Sequence, residues 1–131
     1  MSVCSFDLDH FKSINDAYGH AAGDDALKQF ADICMSQIRG QDFLGRVGGE
    51  EFGLMLVEAD ESEALRVINR ILERVREVAI KSDKGVFSVT ASAGVARLRE
   101  SDAVLGDLMV RADNALYEAK GRGRDRAVLG A

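Results

Sequence analysis

The apolar positions of this 131-residue chain fall into short runs and helical stripes that alternate along its length. Residues 3–8, Val-Cys-Ser-Phe-Asp-Leu, read as a strand. A short helix is predicted from His10 to Tyr18, with Asp9 placed to cap it. Gly19 and Gly23 bracket a predicted turn. A second helix follows from Asp24 to Arg39, where Leu27, Phe30, Ala31, Cys34 and Ile38 share one face and Gly40 stops it. The apolar runs 43–47 and 52–57, separated by glycines, predict a β-hairpin. Asp60 with Glu63 resembles a capping box, and the helix it opens carries Leu65, Ile68, Leu72, Val75 and Val78 on its buried stripe. From Phe87 to Val95 the pattern alternates. Phe87, Val89, Ala91, Ala93 and Val95 face one way and Ser88, Thr90 and Ser92 the other, as in a half-buried strand. A last helix is predicted over Asp102–Lys120 with Leu105, Leu108, Ala112, Leu116 and Ala119 inward, then a short strand near Arg126–Leu129.

Without the second N-terminal helix and the last strand, the order is β-α-β-β-α-β. The predicted fold is therefore α/β (α+β) and ferredoxin-like, the palm of polymerases and nucleotidyl cyclases, with a mostly antiparallel sheet of about five strands flanked by helices. Such a fold hosts many activities and leaves the function open.

Composition narrows the classes. With 47% hydrophobic and 30% charged residues the chain reads as one ordinary soluble domain, large enough for a core without disulfides. No apolar run approaches the roughly 20 residues that span a bilayer, and Asp7, Asp9 and Lys12 interrupt any signal-like start. A net charge of −5 argues against a nucleic-acid polymer as partner. Cys4 and Cys34, each among apolar neighbours, read as buried thiols of a reducing cytosol. The expected location is cytoplasmic, with no membrane contact by this domain and any anchor of the parent protein outside it.

The topology gives the acidic residues a meaning. In this sheet the first and third strands are antiparallel neighbours, so Asp7-Leu8-Asp9 lies beside Glu50-Glu51 and four carboxylates are expected to converge. Like charges that close need neutralising. Mg²⁺ (or Mn²⁺) does so with a few carboxylates and keeps positions for phosphate oxygens. The helix start after Asp9 offers backbone N–H groups to a phosphate, and Lys12 sits in its first turn. That combination is the equipment of nucleotidyl transfer. Singly, each piece is ordinary: Gly48-Gly49 makes a turn, and Asp9 caps a helix.

Several segments resemble one family. Phe6-Asp-Leu-Asp-His-Phe-Lys-Ser-Ile-Asn-Asp-Ala-Tyr-Gly-His20 with Gly23-Asp24, Arg46-Val-Gly-Gly-Glu-Glu-Phe52, Ser92-Ala-Gly-Val95, and Arg111 to Lys120 through Gly123-Arg124 are similar, in order, to the motifs of GGDEF domains in their GGEEF variant. The resemblance covers nearly the whole chain. It implies a diguanylate cyclase that converts two GTP into cyclic di-GMP and two pyrophosphates across a homodimer. It further implies that Asp7, the Leu8 carbonyl and Glu50 hold the metal. Glu50 would be the base for the 3′-hydroxyl or a metal ligand beside it, and Glu51 would support the metal and phosphate region. Lys12 would stabilise the transition state, Asn15 and Asp24 would read guanine, and Lys120 and Arg124 would clamp the distal phosphates.

A second site is implied as well. Arg39-Gly-Gln-Asp42 has the spacing of the family's RxxD product-inhibition motif, with Arg70 as its secondary arginine. The family places a helical segment before the first strand that is not found here, so the chain is expected to be an N-terminally trimmed domain over 1–131, governed by a regulatory sensor domain in its parent. Asp125 stands where the family usually has asparagine. The rival expectation is a catalytically silent receptor for cyclic di-GMP or GTP; a cyclase or polymerase palm of other base choice is disfavoured by Asn15 and Asp24.

Overall fold

The structure, a computed structural model, describes residues 1–130. Its strands and helices follow the order β1 (Ser2–Leu8), α1 (Phe11–Tyr18), α2 (His20–Gln37), β2 (Phe43–Arg46), β3 (Glu51–Leu56), α3 (Glu61–Glu77), β4 (Ile80–Ser82), β5 (Gly85–Phe87), β6 (Ala91–Arg97), α4 (Leu105–Gly121) and β7 (Ala127–Leu129). Five strands form one sheet in the order β2-β3-β1-β6-β7, antiparallel throughout except that β7 runs parallel to β6. The palm predicted from the sequence is the fold observed.

Central β1 is buried along its whole length, and its two faces meet different layers. Cys4, Phe6 and Leu8 join the large core beneath α2 and α3. There Phe30 of α2 meets Phe6 edge-on at 5.2 Å and Phe52 of β3 at 5.0 Å, which locks that helix over the β1–β3 pair. On the other face Val3 packs with Ala96, Leu108 and Ala112 under α4. Gly94 lets α4 come this close, since a Cβ there would lie 2.1 Å from the Ala112 carbonyl oxygen and 2.2 Å from the Leu116 nitrogen.

Four local expectations are corrected. Gly23 is not in a turn: α2 begins at His20, and only Gly19, at φ +92°, makes the corner. The single strand expected from Phe87 to Val95 is two. Phe87 ends β5, which pairs with β4 in a separate hairpin, and β6 starts at Ala91. That strand is buried on both faces rather than half-buried, because α4 covers the Ser92 side. Finally α4 starts at Leu105, which is exposed rather than inward; Asp107 caps this end by accepting from the Ala103 N–H. The Asp60 cap is present, its carboxylate accepting from the Glu63 N–H at 2.9 Å. No helix among the described residues is long and apolar enough to cross a membrane.

Candidate active site

Strand β1 pairs with β3 so that Asp7 lies opposite Glu51, which brings the acidic end of one strand to the acidic start of the other, as the topology required. The hairpin tip is held by Arg46, whose guanidinium donates to the Gly48 carbonyl at 3.2 Å and to the Gly49 carbonyl at 2.6 Å. Neither glycine has a positive φ, so a bare tip rather than a strained turn is what they provide. The Leu8 N–H donates to the Glu50 carbonyl at 3.3 Å and ties that tip to β1.

One cleft then gathers Asp7, Leu8, Lys12, Glu50, Lys120 and Arg124, drawn from β1, α1, the hairpin and the C-terminal end of α4. Lys120 forms an ion pair with Asp7 through one carboxylate oxygen. The other oxygen, Asp7 Oδ1, is buried and has no hydrogen-bond partner. An unpartnered carboxylate oxygen is costly in a protein interior. It is also what a hard divalent cation coordinates.

The predicted convergence of four carboxylates does not form. No three His, Cys, Asp or Glu side chains among the described residues come close enough to share a metal. Asp9 borders the same cleft, but its carboxylate is taken up: it accepts from the Thr90 hydroxyl at 2.7 Å, the Ser92 hydroxyl at 2.6 Å and the Asp125 N–H at 3.0 Å. It does not cap α1, whose N-cap is His10 in a left-handed conformation at φ +56°. Glu51 faces α4 and lines a neighbouring cavity with Val47, Asp113 and Tyr117, which Lys120 also borders. Asp7 and Glu50 remain on one cleft. That suffices for Mg²⁺, which is held by one or two carboxylates with water and phosphate completing its shell. The oxygen donors present therefore fit such an ion.

Asn15 and Asp24 are brought together through Gly23. The Asn15 side chain occupies the space that a Cβ on Gly23 would take, 1.8 Å from its Oδ1. Asp24 follows directly and opens on a pocket with Leu27, Leu44, Arg46 and Phe52. Arg39, Asp42 and Arg70 line a different cavity, joined there by Arg66. Asp42 is already engaged: its carboxylate accepts from the Arg39 N–H at 2.9 Å and the Val57 N–H at 3.0 Å, fixing the loop to the end of β3.

Arg46 of this region went unassigned in the sequence, and Asp9 was expected in other roles, as the cap of α1 and as one of four converging carboxylates. Arg46 shapes the hairpin, and its place just before Gly48-Gly49 was the available signal. Asp9 is an acceptor for three donors distant in sequence, and nothing local signals that.

Comparison with known proteins identifies the family. The family model described as "Diguanylate cyclase, GGDEF domain" matches residues 1–126. Diguanylate cyclase A of Treponema denticola is 43% identical over 129 residues, which cover 98% of this chain and 35% of that protein. The chain thus spans about a third of that relative's length. Among solved structures, the active GGEEF domain of a diguanylate cyclase from Vibrio cholerae superposes with a TM-score of 0.93 at 36% identity, covering 99% of this chain and 82% of that one. The GGDEF domain of DgcB from Caulobacter crescentus, in complex with c-di-GMP, gives 0.93 at 29% identity, covering 98% and 76%. Sequence and overall fold agree, and the chain belongs to the GGDEF domain family of diguanylate cyclases.

Proposed function

We propose that this domain is a diguanylate cyclase, joining two GTP into cyclic di-GMP with release of two pyrophosphates. The observation that carries the reading is the cleft in which a buried, unpartnered Asp7 oxygen faces Glu50, Lys12, Lys120 and Arg124. A divalent ion, Mg²⁺ or Mn²⁺, held by Asp7, the Leu8 carbonyl and Glu50 would polarise the α-phosphate and ease departure of pyrophosphate.

The chain's own residues do the rest. Asn15 and Asp24 supply an amide and a carboxylate to guanine, whose O6 accepts and whose N1 and N2 donate; adenine lacks that pattern. Lys120 and Arg124 bind the distal phosphates, and Lys12 neutralises charge that grows on the phosphoryl oxygens. Lys120 must release Asp7 to do so, which would leave that carboxylate available to hold a divalent ion. Each 3′-hydroxyl attacks the other GTP's α-phosphorus. One P–O bond forms as the bond to pyrophosphate breaks, and the hydroxyl proton leaves toward the Glu50 side. Glu51, beside Lys120, supports the phosphate end from the α4 face. One GTP per domain makes a homodimer necessary.

Arg39, Asp42 and Arg70 form the inhibitory site for the cyclic di-GMP product. An arginine pair suits its phosphates and guanines. In the parent protein a sensor domain would govern how two copies meet.

Incubation with GTP and Mg²⁺, followed by chromatography for cyclic di-GMP, tests the reading in a protein that carries its native flanking domains. Glu50→Gln should reduce turnover by at least about 100-fold while the fold persists. Binding of cyclic di-GMP without any turnover by the unaltered protein would replace the cyclase with the receptor reading.

A further inference from the structure

The turn after α4 is strained and pinned at the same time. Gly123, Arg124 and Asp125 have φ of +114°, +66° and +49° in succession. Two of the three are not glycine, and left-handed backbone is unfavourable for such residues unless surroundings hold it. The turn carries Arg124, which lines the cleft beside Lys12 and Lys120.

Three fixings hold it. The Arg124 N–H donates to the Ala119 carbonyl at 3.0 Å, closing the helix end. The Asp125 N–H donates to Asp9 Oδ2 at 3.0 Å. From α3, Arg76 then grips Asp125 twice, with Nε on the carboxylate at 2.7 Å and Nη2 on the backbone carbonyl at 3.3 Å. Asp9 is itself immobile: only 5% exposed, it accepts the Thr90 and Ser92 hydroxyls, and its own N–H donates to the Thr90 carbonyl at 2.9 Å. An asparagine at position 125 would offer Arg76 no charge. The aspartate here makes the contact charge-assisted.

We propose that Asp9 and Arg76 are positioning residues for Arg124, acting from opposite sides through Asp125 to aim its guanidinium at the distal phosphates. This rests on the reading of Arg124 as a phosphate clamp. Arg76 lies outside the cleft, and Asp9 borders it with both carboxylate oxygens already taken by Thr90, Ser92 and the Asp125 N–H. Asp9 also follows Leu8, so one carboxylate sets both the metal-side end of β1 and the phosphate-side turn. Arg76 extends the arrangement to α3, the helix that carries Arg70.

The test is binding of an α,β-methylene GTP analogue and of GMP, with Mg²⁺, by the full protein and its variants. Arg124→Ala should weaken the analogue about tenfold and leave GMP unchanged, since only the former has distal phosphates. Arg76→Ala, at an exposed position, should weaken the analogue about three- to tenfold, again without touching GMP, and Arg76→Lys should recover part of the loss. Asp9→Asn should act in the same direction. Combining Arg76→Ala with Arg124→Ala should cost no more than Arg124→Ala alone.

Wild-type affinity for the analogue in Arg76→Ala, an equal loss of GMP, or additive losses in the double variant would overturn the proposal. So would an Arg124→Ala chain that binds as the wild type does. Should Asp9→Asn fail to fold, Arg76→Ala and the double variant decide the matter. A protein that shows this binding pattern but makes no cyclic di-GMP upholds the positioning role and removes only the cyclase reading.

Discussion

Gly23→Ala separates packing from recognition within the proposed guanine site. A Cβ at this position would meet Asn15 Oδ1 at 1.8 Å, Asn15 Cγ at 2.9 Å and Phe11 Cζ at 3.2 Å. Ordinary contact begins near 3.4 Å, so the amide oxygen must retreat by about 1.5 Å. The amide is the end of a rotatable side chain and can swing away. The added methyl also favours the helix by roughly 0.5–1 kcal/mol over glycine, against an overpacking cost of about 1–3 kcal/mol. Stability should therefore fall by no more than about 2.5 kcal/mol. Recognition should suffer more: a displaced Asn15 leaves a polar edge of the base unpaired, worth about 1–3 kcal/mol, or roughly 5- to 150-fold in affinity. Calorimetric titration with the methylene GTP and ATP analogues, beside a thermal melt, reads both quantities. The variant should lose its preference for the guanine analogue while still melting cooperatively. Unchanged affinity and selectivity in a folded Gly23→Ala chain would refute the placement of Asn15 at the base.

Three further outcomes are expected. Gly94→Ala meets backbone atoms of α4 at 2.1 and 2.2 Å that cannot rotate aside. It should lower the urea midpoint by an amount equivalent to about 3 kcal/mol or more, and a wild-type midpoint would show that α4 can shift. Arg39→Ala should weaken inhibition by added cyclic di-GMP at least about tenfold in a progress-curve assay; undiminished inhibition would leave Arg39 as a cation of the α2–β2 loop only. Burial pushes the Cys34 thiol from 9.0 up to about 12, and burial, with the nearby Cys34, pushes Cys4 well above 9.0. Unfolded thiols still ionise near the ordinary value. The stability they contribute is thus complete below about pH 9 and lost as pH climbs toward about 12, by up to ~1.4 kcal/mol per unit for each thiol. Urea unfolding at about pH 8 and pH 10.5 should show a smaller drop for Cys34→Ala than for the parent; equal drops would contradict the burial argument.

Reading the sequence worked where one local signal sufficed or where topology fixed the outcome. That the acidic end of β1 lies beside the acidic start of β3 follows from their antiparallel adjacency. The helical stripe with Ile68, Leu72 and Val75 is long enough to be unambiguous. Failures came where tertiary partners chose between equal local options. Asp9 before a helix reads as a cap, and only the Thr90 and Ser92 hydroxyls of a distant segment draw it elsewhere. Gly23 reads as punctuation because a sequence cannot show that a side chain from the preceding helix fills its empty side. The alternation from Phe87 to Val95 is real, yet it spans two strands in different sheets. Periodicity carries no information about which partner a strand meets.

The near-contact of α4 with β6 at Gly94 has a mechanical consequence. Two backbones so close, with no side chain between them, have no play: they can neither slide nor roll past each other without collision. Lys120 on α4 and Asp7 on β1, the strand paired with β6, therefore belong to one rigid block. The opposite wall is jointed differently, since α1 hangs between left-handed His10 and Gly19, each a single-residue corner. Accommodation of a nucleotide should accordingly be shared unequally. The α4 side serves as the anvil, set in place before any nucleotide arrives.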